Sequence, residues 1–210
     1  MESASRKIRI LVADDHYVVR MGLVALVKTE PDMEVVGEAA DGASAVSGYR
    51  LHRPDVVLMD LSMPGMNGIE ATRQLAAEFP GVRVLVLSAL DGDEDIFRVL
   101  EAGALGYVLK NSQGETLLPA IRAVAEGKSW IPPDVTKRLA ARKTYEPLTE
   151  RETQVLQQLS LGLANKEIAD VLKISEHTTK DHIKRILAKL RVADRTEAVR
   201  AALQRGLVHL

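Results

Sequence analysis

The sequence predicts a doubly wound α/β domain with a parallel sheet, followed by a small all-α domain. In residues 1–127, five short apolar runs alternate with five amphipathic segments, a pattern typical of a parallel sheet covered by helices. Residues 148–210 contain no strand-like run, and their apolar residues recur at helical spacing. Residues 128–147 contain three prolines and several basic residues, which indicates a linker between the two domains.

The predicted strands of the first domain are short and rich in Val, Leu and Ile. Three are nearly continuous apolar runs, as expected for strands that are buried on both faces. We place the strands at 8–13, 33–39, 55–59, 82–89 and 106–110. The helices between them are placed at 16–30, 42–53, 68–79, 92–103 and 114–127. Two helix starts carry a polar cap three residues before an acid: Asn67 with Glu70, and Ser112 with Glu115.

The second domain reads as four helices. Thr149 and Glu152 form a capping-box pattern before an apolar-periodic helix that ends near Gly162. The next helices are placed at 165–172, 176–190 and 195–206. A short helix, a brief turn and a longer helix are the signature of a helix-turn-helix.

Composition and charge narrow the function classes. Cysteine is absent, which excludes disulfides, thiolate zinc sites and cysteine nucleophiles. No apolar run approaches the ~18–20 residues that span a bilayer, and the start of the chain lacks the apolar core of a signal peptide, so we expect a cytoplasmic protein without a membrane partner.

Residues 1–130 carry 13 basic and 19 acidic side chains (13 − 19 = -6), and residues 131–210 carry 15 and 10 (15 − 10 = +5). The basic part is compatible with a nucleic-acid partner, although two solvated surfaces would give the same sums.

Three aspartates follow predicted strands. Asp14 and Asp15 end the first strand and Asp60 ends the third. In the strand order 2-1-3-4-5 those two strands are neighbours, so the three carboxylates would converge at the edge where such sheets bind ligands. Three close acids repel one another, and a divalent cation with oxygen ligands, Mg²⁺ or Mn²⁺, would relieve the repulsion. Ser88 and Lys110 end the last two strands, where a hydroxyl and a cation could hold a phosphoryl group on Asp60. Considered alone, each of these residues is more readily explained as a turn, helix-cap or surface residue than as part of a binding site.

These motifs resemble the receiver domain of two-component response regulators, which has a flavodoxin-like fold. The resemblance covers residues 7–127 and is carried by four stretches: AlaAspAsp at 13–15, MDLSMPGMNG at 59–68, SerAla at 88–89 and GALGYVLK at 103–110. One departure is Asn111, where many receivers have proline.

The resemblance implies a role for each matching residue. Asp60 would accept phosphate from a sensor histidine kinase. Asp15, Asp60 and the backbone carbonyl of Ser62 would ligate Mg²⁺, with Asp14 helping directly or through water. Lys110 would pair with the phosphoryl group, Ser88 would bond one of its oxygens, and Tyr107 would be the aromatic residue whose packing follows Ser88. The chain would then be a phosphoacceptor rather than an enzyme, with at most self-phosphorylation and self-dephosphorylation chemistry.

Residues 148–198 resemble the LuxR-type helix-turn-helix of the NarL/FixJ class, which places the recognition helix at 176–190. Its predicted inner face consists of apolar residues and one threonine: Thr179, Ile183, Ile186, Leu187 and Leu190. Its predicted DNA-facing residues are Lys180, Asp181, Lys184 and Arg185, with Lys166 of the preceding helix on phosphate. Thr179 stands where the family prefers valine, and we expect it to bond the carbonyl four residues back. Asp181 could pair with Arg185 or accept from a cytosine amino group, and we favour the pairing.

The resemblance also implies a homodimer formed on phosphorylation or DNA binding. In the DNA-binding domain the dimer helix would be the last one, through Ala198, Val199, Ala202 and Leu203, although these residues could instead only fill the domain core. The sequence leaves open the kinase and its stimulus, the operator, activation or repression, the receiver face that dimerises, and whether the unphosphorylated receiver masks the recognition helix.

Two other functions are compatible with parts of the sequence. A magnesium-dependent phosphohydrolase of the haloacid dehalogenase type also uses an aspartate after a strand, but it needs a second acid two residues later, where this chain has Ser62. A constitutive DNA binder would use the first domain only to dimerise, and it would not need the acidic cluster. The sequence therefore favours a transcription factor whose DNA binding is controlled by phosphorylation.

Overall fold

The computed structural model describes residues 6–89, 92–110, 114–132, 135–136 and 146–208. The chain divides into two compact units: the first takes in residues 1–89 and 97–133 and contains the sheet, and the second takes in residues 90–96 and 134–210. Most of the predicted linker and the predicted cap Ser112 lie outside the described residues. Among the helices described, none is long and apolar enough to cross a membrane.

The first unit contains a five-stranded parallel sheet in the order β2-β1-β3-β4-β5, which confirms the predicted topology. Its strands are β1 (Ile8–Ala13), β2 (Met33–Ala39), β3 (Val56–Asp60), β4 (Val84–Ser88) and β5 (Gly106–Leu109). The helices that follow these strands are α1 (Tyr17–Lys28), α2 (Gly42–His52), α3 (Gly68–Glu78), α4 (Asp93–Glu101) and α5 (Gly114–Ala125). Every residue of β3 and β4 is buried, because helices cover both faces of the central strands.

Trp130 extends the sheet beyond β5. Its backbone N–H donates to Leu105 O at 3.0 Å, and its carbonyl accepts from Tyr107 N at 3.0 Å, so Trp130 forms a parallel bridge with Gly106. The indole packs, partly buried, against the core. The sequence pattern placed Trp130 in the linker, because a single bridging residue leaves no run of alternating apolar positions.

Residues 146–208 form four helices: α6 (Glu150–Ser160), α7 (Asn165–Leu172), α8 (Glu176–Leu190) and α9 (Arg195–Arg205). Capping residues start most of them: Thr149 forms the predicted capping box with Glu152, and Ser175 and Asp194 accept from backbone N–H groups of α8 and α9. Their apolar faces share one core that includes Leu156, Ile168 and Ile186. The arrangement confirms the predicted small all-α domain.

Gly68 is predicted to be indispensable at the start of α3. A Cβ at this position would lie 2.0 Å from the carbonyl oxygen of Asp60. We expect Gly68→Ala to cost about 1–3 kcal/mol of folding free energy, because the backbone at Asp60 must shift to make room. Thermal unfolding measures the loss. The matched control is Gly22→Ala on α1, where a Cβ meets nothing within 4 Å and where alanine should stabilise the helix by about 0.5–1 kcal/mol. Equal melting temperatures for the two variants would contradict the prediction.

Candidate metal centre and candidate nucleic-acid interface

The acidic side chains converge at the carboxyl edge of the sheet, as predicted. Ala13 of β1 pairs with Met59 of β3, so the residues that follow them, Asp14 and Asp60, are neighbours. Both are almost fully buried, and Asp15 lies partly buried beside them. One donor atom each from Asp14, Asp15, His16 and Asp60 lies within 4.8 Å of all the others.

Lys110 reaches into this cluster from the end of β5. Its Nζ lies 2.8 Å from Asp14 Oδ2 and 2.9 Å from Asp60 Oδ2. These are ion-pair distances. Asp14 Oδ2, Asp15 Oδ1 and Asp60 Oδ2 are all buried from solvent, and the Lys110 ammonium lies against the first and the last of them. The three carboxylates and the one ammonium sum to a formal charge of −3 + 1 = −2. Oxygen donors and this charge fit one divalent cation.

Burial and charge have opposite effects on the pKa of Asp60. Burial raises the pKa of Asp60, the charge of Lys110 offsets part of this effect, and the neighbouring Asp14 adds to it. For Lys110, burial acts to lower the pKa, but Asp14 and Asp60 outweigh burial and the pKa is raised. Lys110 thus stays charged, and a cation at this edge would favour the ionised form of Asp60.

The remaining predicted receiver residues lie on or shortly after the neighbouring strands β3, β4 and β5. The exposed Ser62 presents its backbone N–H to the Asp60 carboxylate. Ser88 is buried at the end of β4, and its carbonyl accepts from Lys110 N at 2.8 Å. Tyr107 is fully buried in β5. Ser88 pairs with Leu109, so Tyr107, two residues before Leu109, directs its side chain to the same face of the sheet as Ser88.

His16 is the residue of this site that the sequence interpretation missed. Its Nδ1 lies 2.8 Å from Asp15 Oδ1 and 3.6 Å from Asp14 Oδ1, and its backbone N–H donates to Asp14 Oδ1 at 2.9 Å. Its position was the signal that could have identified it. His16 comes immediately after two carboxylates at a strand end, and histidine is a residue type that binds metals.

The predicted recognition helix α8 has one buried and one exposed face, as expected. Thr179, Ile186 and Leu190 are buried in the domain core, with Ile183 and Leu187 packed partly against it. The hydroxyl of Thr179 donates to Ser175 O at 3.2 Å, which confirms the expected bond to the carbonyl four residues back. The residues proposed to face DNA are all exposed: Lys166, Lys180, Asp181, Lys184 and Arg185.

The ion pairs on α8 differ from the expectation for Asp181. Asp181 Oδ2 lies 3.6 Å from His177 Nε2, so within the described helix the favoured pairing with Arg185 is wrong. The carboxylate leans toward the start of the helix, the direction in which helical side chains point. The side chain of Lys180 also points toward the start of the helix, and its Nζ lies 2.8 Å from Glu176 Oε1.

A buried ion pair fixes α8 to α6. Lys189 Nζ lies 2.8 Å from Glu152 Oε2, whose side chain is 3% exposed, and it also donates to Pro147 O at 3.0 Å. Burial acts to raise the pKa of Glu152, but Lys189 and Thr149 outweigh burial and the pKa is lowered. The sequence pattern showed only the capping role of Glu152, because Lys189 is 37 residues away.

The predicted dimer helix α9 contributes to the core of its own domain. Ala198 and Ala202 are fully buried in the core of their own domain, which is the alternative that the sequence left open. Val199 is partly buried, and Leu203 is 38% exposed. Leu203 is therefore the member of this set that is most available to a partner.

A parallel sheet with an acidic cluster at its carboxyl edge, joined to a helix-turn-helix with an exposed basic helix, defines a two-domain signalling protein that binds DNA. Comparison with known families agrees: residues 10–122 match the response regulator receiver domain, and residues 146–202 match the bacterial regulatory proteins of the luxR family. The chain belongs to the response regulators, and it combines a receiver with a LuxR-type DNA-binding domain.

Similar proteins include transcriptional regulatory proteins that this chain matches over nearly their whole length. LiaR of Bacillus subtilis is 42% identical over 210 residues, covering 96% of this chain and 100% of LiaR. DegU of Brevibacillus brevis is 39% identical, covering 96% of this chain and 95% of DegU. Among solved structures, the response regulator ChrA of a heme-sensing two-component system is 41% identical with a TM-score of 0.58, covering 96% and 99%. The response regulator RcsB in complex with DNA is 26% identical with a TM-score of 0.69, covering 95% and 99%.

The Glu152–Lys189 pair is predicted to stabilise the DNA-binding domain. Lys189→Met leaves Glu152 buried and unpaired, so we expect a loss of about 3–5 kcal/mol of folding free energy at neutral pH. The folded-state pKa of Glu152 lies below its ordinary value, so the stability it contributes is present at neutral pH and lost as pH falls through the folded pKa. The deficit of Lys189→Met should therefore shrink in acid. Denaturant unfolding at several pH values measures it, with Lys184→Met on the exposed face as control. A deficit that stays constant with pH would contradict the prediction.

Proposed function

We propose that Asp60 of this response regulator accepts a phosphoryl group from a sensor histidine kinase, and that phosphorylation controls dimerisation and sequence-specific DNA binding. The observation that carries the proposal is the convergence of a buried Asp60 with Asp14, Asp15 and Lys110 at one edge of the sheet. The partners are DNA, a cognate kinase and a second copy of the chain, and the site of action is the cytoplasm, where the DNA lies.

Phosphoryl transfer requires the protein to position the reacting groups and to neutralise their negative charge. A carboxylate oxygen of Asp60 forms the new bond to phosphorus while the bond to the donor imidazole breaks. Mg²⁺, or Mn²⁺, would supply positive charge and would be held by Asp15, Asp60 and the carbonyl of Ser62, with Asp14 binding directly or through water. Lys110, already 2.9 Å from Asp60 Oδ2, would stay beside the transferred group.

The phosphoryl group adds roughly one to two negative charges and new acceptors at Asp60. Ser88 would bond one of these oxygens, and Tyr107, on the same face of the neighbouring strand, would repack in response. The acidic cluster is then an acceptor site with at most self-phosphorylation and self-dephosphorylation chemistry. The residue two places after Asp60 is Ser62, which offers no acid for hydrolysis of phosphate esters.

DNA would be read by α8 in the major groove. Lys180, Lys184 and Arg185 would contact phosphates or guanine, Lys166 a phosphate, and Asp181 a base edge. RcsB, which shares both domains, has been solved bound to DNA. Leu203 and Val199 on α9 would pair with the same helix of the second copy.

Phosphorylation at one site is the first expected outcome. Incubation with acetyl phosphate and Mg²⁺ should add one phosphoryl group, because the donor needs only an ionised Asp60 and neutralising charge. Intact-protein mass spectrometry measures the gain. Asp60→Asn should abolish it, and the exposed Asp170→Asn should leave it unchanged. Modification of the Asp60→Asn protein would contradict the site assignment.

DNA binding should depend on the lysines of α8. Lys184→Ala and Lys180→Ala should each weaken binding to a duplex selected from genomic fragments, and each should lower the slope of log K against log salt by about one. Fluorescence anisotropy at several salt concentrations measures both effects, with Lys28→Ala on α1 as control. If Lys184→Ala kept the affinity and slope of the parent protein, α8 would not be the DNA-binding helix.

A further inference from the structure

Asp181 lies near the middle of the outward face of α8. The buried residues Thr179, Ile186 and Leu190 mark the direction in which the helix faces the core of its domain. At about 100° per residue, Asp181 lies about 160° around the helix from that direction. Its side chain is 55% exposed. When a helix of this kind lies in the major groove, the residue opposite its buried face is directed at the base edges.

Two basic residues flank Asp181 on this outward face. Lys184 and Arg185 are both exposed and lie one turn further along the helix. Each lies about 40–60° around the helix from Asp181, one on either side of it. The part of α8 that would meet the bases therefore presents one acceptor group between two donor groups.

The contacts that Asp181 makes within the helix do not account for an anion at this place. Glu176 is closely paired, with Oε1 at 2.8 Å from Lys180 Nζ. Asp181 Oδ2 instead lies 3.6 Å from His177 Nε2, and the two side chains are 55% and 88% exposed. An exposed contact of this length contributes little to stability. A carboxylate on the face that meets a polyanion is unfavourable by itself, and a hydrogen bond accepted from a base would offset this cost.

The chemistry of a carboxylate restricts which base it can contact. An ionised carboxylate only accepts hydrogen bonds. In the major groove, guanine and thymine present acceptor atoms, whereas cytosine donates through N4 and adenine through N6. The N7 acceptor of adenine lies beside its amino group and repels a carboxylate oxygen, and cytosine has no such neighbour. The guanine paired with that cytosine presents O6 and N7, which suit a lysine or an arginine.

We propose that Asp181 is a specificity-determining residue that accepts a hydrogen bond from the N4 amino group of one cytosine in the operator, while Lys184 or Arg185 contacts the guanine paired with that cytosine. This inference rests on the proposed function and deepens it by naming the base pair. Guanine and thymine would direct acceptor atoms at the carboxylate of Asp181. The preference thus arises from rejection of the wrong bases as well as from attraction to the right one.

The test is a selection of binding sites from a pool of random duplexes, using the full chain treated with acetyl phosphate and Mg²⁺. Sequencing gives the preferred base at each position, and fluorescence anisotropy on single-base variants of the selected duplex gives the Kd values. We expect the parent protein to require cytosine at one position, where any other base raises the Kd at least about fivefold.

Two variants of Asp181 separate the carboxylate from the rest of the helix. Asp181→Ala should remove the preference at that position and leave the other positions unchanged. Asp181→Asn should change the preferred base from cytosine to adenine, because an amide both accepts from N6 and donates to N7. The matched control is Asp170→Asn on α7, an exposed aspartate whose replacement should keep the parent sequence. Circular dichroism checks that all variants are folded.

The outcomes distinguish this inference from the proposed function. If either Asp181 variant keeps the cytosine preference of the parent protein, Asp181 does not read a base, while α8 remains the DNA-binding helix. If the parent protein selects no sequence and Lys184→Ala binds duplexes as tightly as the parent does, α8 is not the recognition helix, and the DNA-binding part of the proposed function is overturned as well.

Discussion

The chemistry of this protein depends on the burial of like charges at one edge of a parallel sheet. Asp14 and Asp60 lie side by side because β1 and β3 are neighbours and both strands end there. Bringing two carboxylates out of water is unfavourable unless positive charge accompanies them, and Lys110 supplies only one such charge. The deficit makes the edge receptive to a cation, and it makes the state of Asp60 sensitive to any charge that arrives.

In the DNA-binding domain, most charged side chains of α8 lie on its exposed face, while one buried ion pair holds the helix in place. Glu152 and Lys189 are paired inside, where they tie α8 to α6. On the outside, Lys180 is engaged by Glu176 and Asp181 lies near His177. Because these exposed pairs are weak in water, lysines can exchange a carboxylate for a phosphate at little cost. The domain thus combines a rigid support with an adaptable basic surface.

Much of the architecture was predictable, because burial leaves a periodic trace in the sequence. The five strands, their order, the capping boxes at Asn67 and Thr149 and the two faces of α8 all follow from local patterns or from motifs. The bridge at Trp130 was not predicted, because a single bridging residue cannot produce a periodic pattern of apolar residues. The pairing of Asp181 was mistaken because i+4 spacing allows a partner on either side, and side-chain direction favours the earlier one.

From its order of residues alone, the chain specified which strands end in acids, where the helices begin and which lysines lie on the outer face of α8. These features are local, since each depends on neighbours within a turn or a strand. Only the folded molecule decided which distant groups meet: Lys110 with Asp14 and Asp60, and Lys189 with Glu152. Such contacts depend on distances and directions in three dimensions, and the periodic pattern of apolar residues in a sequence contains no information on either.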